Sequence, residues 1–275
     1  MPAPYPLILI AHVVAGAVAL VVFWIPMAAR KGSALHLRAG RWFMHTMLTV
    51  AGTGIALSAL LLVDPVGSKF PDEVLSMARG FDVARQARRL GLFLMMLSVL
   101  VIATARHATL VLEGKSDRAP LRTPGHLFWQ VSTGLLGMAT GVVGIGQRDP
   151  LLIIFAVLSI NGSIRMLRYS YKRTLAPREW LLEHISFATG CGIAAYTAFA
   201  AFGGRAVFSE LLPGQWQLLP WILPTVIGTA YARRASARYT AKKQPNRPKL
   251  LARLGIKVRE LGQTRNLAVE KGADV

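Results

Sequence analysis

Residues 7–27, LILIAHVVAGAVALVVFWIPM, form a run without Asp, Glu, Lys or Arg. About 20 apolar residues in an α-helix cross the hydrocarbon core of a bilayer. Several later runs in the 275-residue chain are similarly long, and only 16% of all residues are charged, against about 25% in a soluble domain. The alternating pattern of barrel strands is absent. The sequence therefore predicts an all-α, polytopic helical membrane protein.

About seven transmembrane helices are predicted. Their ranges are 7–27, 43–63, 90–111, 126–146, 151–168, 180–202 and 216–232. They make a transmembrane bundle over residues 1–232, which a basic tail, residues 233–275, follows. Between the second and third spans, FPDEVLSMARG begins with Pro71 and two acidic residues, as helices often do. We expect a short helix there, lying on the outer face of the membrane.

The net charge of +19 suggests nucleic acid as a partner, but the distribution of charge argues against it. The Lys and Arg residues cluster beside the ends of apolar runs, which is the pattern of the positive-inside bias. With the N-terminus outside and the C-terminus inside, most basic residues lie on the inner side. We therefore expect the lipid bilayer as a partner and do not expect nucleic acid.

The tail has a second feature besides its charge. Apolar residues fall on one face of a helix there: Leu251, Leu254, Val258 and Leu261. A basic amphipathic segment of this kind binds anionic lipid at a membrane surface. The alternative is a tail that only fixes the topology.

Histidines gather toward the inner side of the predicted bundle. Those that open or close four different helices there are His45, His107, His126 and His184. Neutral imidazole binds haem iron and transition metals, so two of them are candidate axial ligands of one haem b or ligands of a metal. The arginines that would neutralise its propionates are Arg41, Arg106 and Arg168. The alternative is that histidine simply suits the half-wet level of the lipid headgroups.

The fourth span carries a stripe of small and polar residues on one helical face. Its members are His126, Gln130, Gly134, Gly137, Gly141 and Gly144. Gly137 and Gly141 form a GxxxG pair, which is typical of close helix–helix packing. The alternative is a planar cofactor that lies against the glycines below His126.

Two further ionisable side chains enter predicted spans. His12 is one turn from Gly16 in the first span and faces either a neighbouring helix or a cavity. Glu183 enters the sixth span from the inner side, where Arg165 and Arg168 are candidate ion-pair partners. A proton-handling pair of Glu183 with His184 is the alternative, although adjacent residues point about 100° apart on a helix.

Missing motifs exclude several classes of protein. No predicted span has two histidines, so the di-haem cytochrome b architecture is excluded. HExxH, HxxxH, GxSxG and P-loop motifs are absent, which leaves zinc hydrolases and serine acyl-transfer enzymes without support.

The first two spans carry a recognisable pattern, in AHVVAGAVAL and KGSALHLRAGRWFMHTM. It resembles domain of unknown function 2306, a family of bacterial multi-pass membrane proteins. The matching positions are His12, Gly16, Lys31, Gly32, His36, Gly40, Arg41, Phe43 and Met47. The later stretch EWLLEHISFATGCGIAAYTAFAAFG is also similar. The resemblance implies a protein of the bacterial inner membrane, carries no activity, and draws attention to His12 and His36, which lie near opposite faces of the predicted bundle.

Three functions follow as hypotheses, and the sequence does not decide whether the protein is an enzyme. The first is electron transfer by one haem b or metal near the inner face. The second is a cofactor-free scaffold or assembly factor. The third is a small-solute or proton-coupled transporter, or an intramembrane enzyme, in which His12 or Glu183 acts.

Overall fold

The computed structural model describes residues 4–67, 76–204, 208 and 210–240. This part of the chain is helical almost throughout and contains no strand. Its seven α-helices are α1 (Pro4–Ala28), α2 (Ala34–Val63), α3 (Met77–Gly114), α4 (Pro124–Gln147), α5 (Pro150–Ser170), α6 (Glu179–Ala198) and α7 (Leu219–Thr240). The predicted all-α, polytopic helical fold is confirmed.

Six of these helices, α1 to α6, are long and apolar enough to cross a membrane. A π-helical turn, Phe199–Gly203, lengthens α6. The region of the predicted seventh span forms the helix α7, but this helix is not among those apolar enough to cross a membrane. It contains Pro224, and Arg233 and Arg234 shorten its apolar part.

Helix α3 lies at the centre of the bundle. It packs against α2, α4, α5 and α6, while α1 packs against α2 and α6. Among the six apolar helices α3 is the most buried. Its residues Met96 and His107 have no exposed surface at all.

Helix α3 differs from the prediction for this region. A short surface helix in residues 70–80 and a separate span at 90–111 were expected, whereas one continuous helix of 38 residues runs from Met77 through the whole span. At about 1.5 Å per residue it is about 57 Å long, well beyond the ~30 Å hydrocarbon core. Ser76 caps its start by accepting a hydrogen bond from the Arg79 amide. The expected start at Pro71 lies outside the described residues, as does the amphipathic tail segment.

Helix α2 also begins earlier than predicted, at Ala34 instead of residue 43. Ser33 is the reason, since its hydroxyl accepts a hydrogen bond from the amide of His36 at 3.2 Å. Gly32, with φ +81°, makes the turn that precedes it. The basic stretch after α1 is therefore a short connection followed by the first turns of a helix.

A tight turn joins α4 to α5. Arg148 adopts a left-handed conformation, and the Asp149 carboxylate accepts hydrogen bonds from the amides of Leu151 and Leu152. Pro150 then occupies the first turn of α5. The two helices are thereby folded back on one another as an antiparallel pair.

The bundle has two ends, defined by its connections. The basic end comprises the α1–α2, α3–α4 and α5–α6 connections, and a hydrogen bond from the Arg118 side chain to the Arg173 carbonyl joins the last two. The second end comprises the α2–α3 and α4–α5 connections.

The lateral surface of the bundle is apolar. On α4 the exposed side chains include Phe128, Leu135, Val142 and Ile145, each more than half exposed. The buried face of the same helix carries polar residues and glycines instead. In a soluble protein the polar side chains would face outward and the apolar ones inward. The reverse arrangement seen here is typical of a helix that faces lipid.

Candidate functional site

Four ionisable side chains from four different helices form a line near the basic end. They are His126 of α4, His107 of α3, Glu183 of α6 and Arg165 of α5. The Nδ1 atom of His107 lies 3.2 Å from Nε2 of His126. On its other side, Nε2 of His107 lies 3.4 Å from Oε1 of Glu183. The Arg165 guanidinium donates a hydrogen bond of 2.9 Å to Oε2 of Glu183. We call these four residues the His–Glu line.

The His–Glu line leads from the interior of the bundle to its surface. His107 and His126 are completely buried. The Glu183 side chain is 10% exposed and that of Arg165 is 48% exposed. A buried carboxylate is unfavourable unless it is paired, and Arg165 provides the compensating charge at the edge of the bundle. Glu183 was predicted to pair with a basic residue of α5, and the structure shows that the partner is Arg165.

Aromatic rings enclose the line. The His107 ring lies 4.6 Å, between centroids, from Phe187 and 5.7 Å from Tyr169. The Arg165 guanidinium lies 4.7 Å from the Phe187 ring centroid, in a cation–π contact. These rings fix the orientation of the imidazole and keep the pair of histidines away from lipid.

Several buried polar atoms of this region have unused hydrogen-bonding capacity among the described residues. They are His107 Nε2, His126 Nδ1, Gln130 Oε1, Tyr169 Oη and Glu183 Oε1. The contact of 3.4 Å between His107 and Glu183 is thus an ion-pair contact without the geometry of a hydrogen bond. Buried polar groups are satisfied in most proteins, so this concentration is unusual and marks the line as a functional candidate.

The buried face of α4 continues the polar character toward the second end. After His126, its buried residues are Gln130, Thr133, Gly137, Thr140 and Gly144. Serines of α5 face them: the Ser163 hydroxyl donates to the Gln130 carbonyl, and the Ser159 hydroxyl donates to the Thr133 carbonyl. We call this contact between α4 and α5 the polar seam.

The glycine stripe of α4 packs against α5. A Cβ atom at Gly137 would stand 3.0 Å from the Ile160 side chain, and one at Gly134 would stand 2.9 Å from the Ser163 hydroxyl. At Gly141 it would stand 3.3 Å from Ala156. The space along the stripe is therefore filled by α5. This agrees with close helix packing and leaves no room for a flat cofactor against these glycines.

The two buried histidines do not fit as axial ligands of a haem. Since a metal–imidazole bond is about 2 Å long, ligands on opposite sides of one iron stand about 4 Å apart with the porphyrin between them. The 3.2 Å separation of the ring nitrogens is too short for that arrangement. Within the described residues, no group of three or more His, Cys, Asp or Glu side chains could hold a metal ion.

The other two histidines proposed as ligands lie elsewhere. His184 bonds through Nδ1 to the Ala108 carbonyl, at 3.0 Å, so it and its neighbour Glu183 have different partners. His45 is exposed on α2, and so is Arg41. Of the four predicted inner-side histidines, the structure brings only His107 and His126 into contact.

Both histidines of the family-like pattern join helices through backbone atoms. His12 Nδ1 lies 3.0 Å from the Val50 carbonyl and 3.0 Å from the Thr53 hydroxyl, which ties α1 to α2. His36 Nδ1 lies 2.9 Å from the Pro26 carbonyl. The Lys31 ammonium donates to that same carbonyl at 2.7 Å, and partial burial lowers the pKa of Lys31. His36 and Lys31 therefore cap the C-terminus of α1.

Sequence reasoning missed two residues of the site, Tyr169 and Phe187. Each is four residues after a predicted member of the line, since Tyr169 follows Arg165 and Phe187 follows Glu183. Residues four apart share a helical face, so this spacing is the signal that would have found them.

No protein-family model, no curated protein and no solved structure matches this chain. The resemblance noted in the first two spans stays a prediction.

Proposed function

We propose that this protein transfers protons within a membrane, through the His–Glu line. The observation that supports this proposal best is the position of His107. Its Nδ1 atom lies beside His126, and its Nε2 atom lies beside Glu183. Imidazole is suited to this position because it accepts a proton on one nitrogen while it donates from the other. The protein belongs, in this proposal, to the proton-coupled class of the three hypotheses.

The proton transfer balances as follows. A proton binds Nδ1 of His126, and the proton on its Nε2 moves to Nδ1 of His107. The proton on Nε2 of His107 then moves to Oε1 of Glu183. Both imidazoles end neutral in their other tautomer, and Glu183 ends protonated. One unit of positive charge has then moved from His126 to the carboxylate.

Arg165 completes the step at the surface. Its guanidinium donates a hydrogen bond to Oε2 of Glu183 and its side chain is 48% exposed, so a proton that leaves the carboxyl group passes toward the exposed side of the line. The polar seam begins at His126 and continues the polar face of α4 toward the second end. Chains of Asp, Glu and His side chains are the means by which membrane proteins relay protons, and the His–Glu line is such a chain.

A second candidate function is a cofactor-free scaffold or assembly factor. The observation that favours it is that His12, His36 and His184 all bond to backbone carbonyls of other helices. For either function we place the chain in the bacterial inner membrane, with the basic tail on anionic lipid. The charge distribution and the family resemblance support that placement.

The test is proton flux into proteoliposomes that contain a trapped pH-sensitive dye, driven by a potassium diffusion potential. We expect uptake by the wild-type protein and its loss in His107→Phe and in Glu183→Gln. His45→Phe is the matched control, since His45 is exposed and outside the line, and it should keep the wild-type rate. Wild-type flux no greater than that of protein-free liposomes would refute proton transfer and favour the scaffold.

A further inference from the structure

A groove at the second end of the bundle has a composition that points to a ligand. It has a volume of about 540 Å³ and lies between the ends of α2 and α4 and the projecting part of α3. Its walls are apolar, with Leu62, Phe81, Leu92 and Val143 among them, and the arginines Arg85, Arg88 and Arg89 line it as well. Apolar walls beside clustered cations match an amphiphile with an anionic head.

The three arginines differ in what they contact. Arg89 is held by α4 and the turn after it: it donates a hydrogen bond of 2.7 Å to Gln147 and lies 3.7 Å from the Asp149 carboxylate. Within residues 4–67, 76–204, 208 and 210–240, no ion pair or hydrogen bond engages the side chain of Arg85 or Arg88. These two are spaced i, i+3 and therefore share a face of α3. Two free guanidinium groups on one face form a site for a phosphate, which accepts paired hydrogen bonds from each.

The level of the groove fits a lipid. Leu62 is the second-last residue of α2, and Gln147 is the last residue of α4. Apolar helices end where the hydrocarbon core meets the headgroups, so the groove lies at headgroup depth. The apolar walls can then take the start of an acyl chain while Arg85 and Arg88 hold the head.

The positions of these cations also need an explanation. Lys and Arg otherwise concentrate at the basic end, as the positive-inside bias predicts. Arginines grouped at the opposite end, beside an apolar groove, run against that bias. We propose that the groove binds one anionic phospholipid, with its phosphate between Arg85 and Arg88 and an acyl chain along Leu92 and Val143.

The experiment uses the full-length protein, delipidated in a neutral detergent, and native mass spectrometry with added phosphatidylglycerol. We expect one lipid to be retained, in preference to phosphatidylcholine. The double substitution Arg85→Gln with Arg88→Gln should weaken its binding about tenfold or more, because hydrogen bonds to charged groups are lost. The matched control is Arg38→Gln with Arg41→Gln, which removes two exposed arginines of the same spacing from α2 and should leave this binding unchanged.

Three results would overturn the proposal. They are equal weakening by both pairs of substitutions, an equal affinity for phosphatidylcholine, and displacement of the lipid by glycerol phosphate at the same concentration. The last would identify a soluble anion as the occupant. The lipid site does not depend on proton transfer, so either proposal can fail alone.

Discussion

Glu183 and Glu179 are one turn apart on α6, yet their surroundings differ. Glu183 is largely buried between Arg165 and His107, whereas Glu179 pairs with Lys172 at the surface. We expect Glu183→Gln to lower the free energy of unfolding by about 1–3 kcal/mol, because it removes an acceptor of a charged hydrogen bond in a buried position. Glu179→Gln should change it by less than about 1 kcal/mol, as exposed ion pairs contribute little.

Chemical unfolding in detergent, followed by circular dichroism, measures both variants. Equal losses would mean that the His–Glu line is no more stabilising than a surface pair.

The basic stretch at residues 31–45 contains one histidine with a structural partner and one without. His36 bonds to the Pro26 carbonyl, while His45 is exposed and its side chain makes no hydrogen bond to the described residues. We expect His36→Leu to destabilise the protein by about 1 kcal/mol, the usual value of one hydrogen bond. His45→Leu should change stability by no more than about 0.5 kcal/mol. The same unfolding assay compares the two variants. A larger loss of stability in His45→Leu than in His36→Leu would contradict the structural role given to His36.

At the scale of helices, the glycines of α4 are of two kinds: some are in close contact with α5, and others have open space beside them. A Cβ at Gly137 would stand 3.1 Å from Ser159 and 3.2 Å from the Ile160 amide nitrogen, while one at Gly146 would meet no heavy atom within 4 Å. Gly137→Leu should therefore force α5 away and cost about 1–3 kcal/mol or more. Gly146→Leu is the control on the same helix and should leave thermal unfolding nearly unchanged. Similar melting temperatures for the two variants would show that α4 and α5 are not tightly packed there.

The sequence allowed the helices to be predicted better than their ends. Runs of apolar residues placed α1 to α6 correctly, because a bilayer-spanning helix must be apolar over its whole length. The first turns of α2, and the continuity of α3 between residues 80 and 90, were missed because these stretches carry charged residues and lie outside the apolar runs. Only the cap Ser33 marks the start of α2. Capping is a local signal that hydropathy does not register.

The site could be predicted only in part, for a different reason. Polar residues in apolar helices are few, so His107, His126 and Glu183 stood out. Which of them touch depends on how four helices rotate about their axes, and that is set by packing between distant parts of the chain. The hydrogen-bonded pair of His107 and His126, 19 residues apart across a connection, could not be told from a pair with His45 or His184.

At the scale of the whole molecule, the topology depends on whether α7 crosses the membrane. This helix touches α6 at Gly228, where a Cβ atom would stand 2.3 Å from the Ile193 side chain. Its first turn reaches the bundle core, where Trp221 packs on Phe93 and Phe155. These two contacts place α7 beside the bundle, although it is less apolar than the other helices.

We expect α7 to cross the membrane, which leaves the basic tail on the same side as the basic end. The physical reason is the positive-inside bias, because the tail carries the largest group of Lys and Arg in the chain. The measurement is labelling of single cysteines, in a Cys191→Ala background, with a maleimide that does not enter cells. Ser33→Cys reports the basic end, Val66→Cys reports the second end, and Ala273→Cys reports the tail. In intact bacteria Val66→Cys should react, and the other two should react only after permeabilisation. Reaction of Ala273→Cys together with Val66→Cys in intact cells would mean six crossings, with α7 returning the tail to the side of the second end.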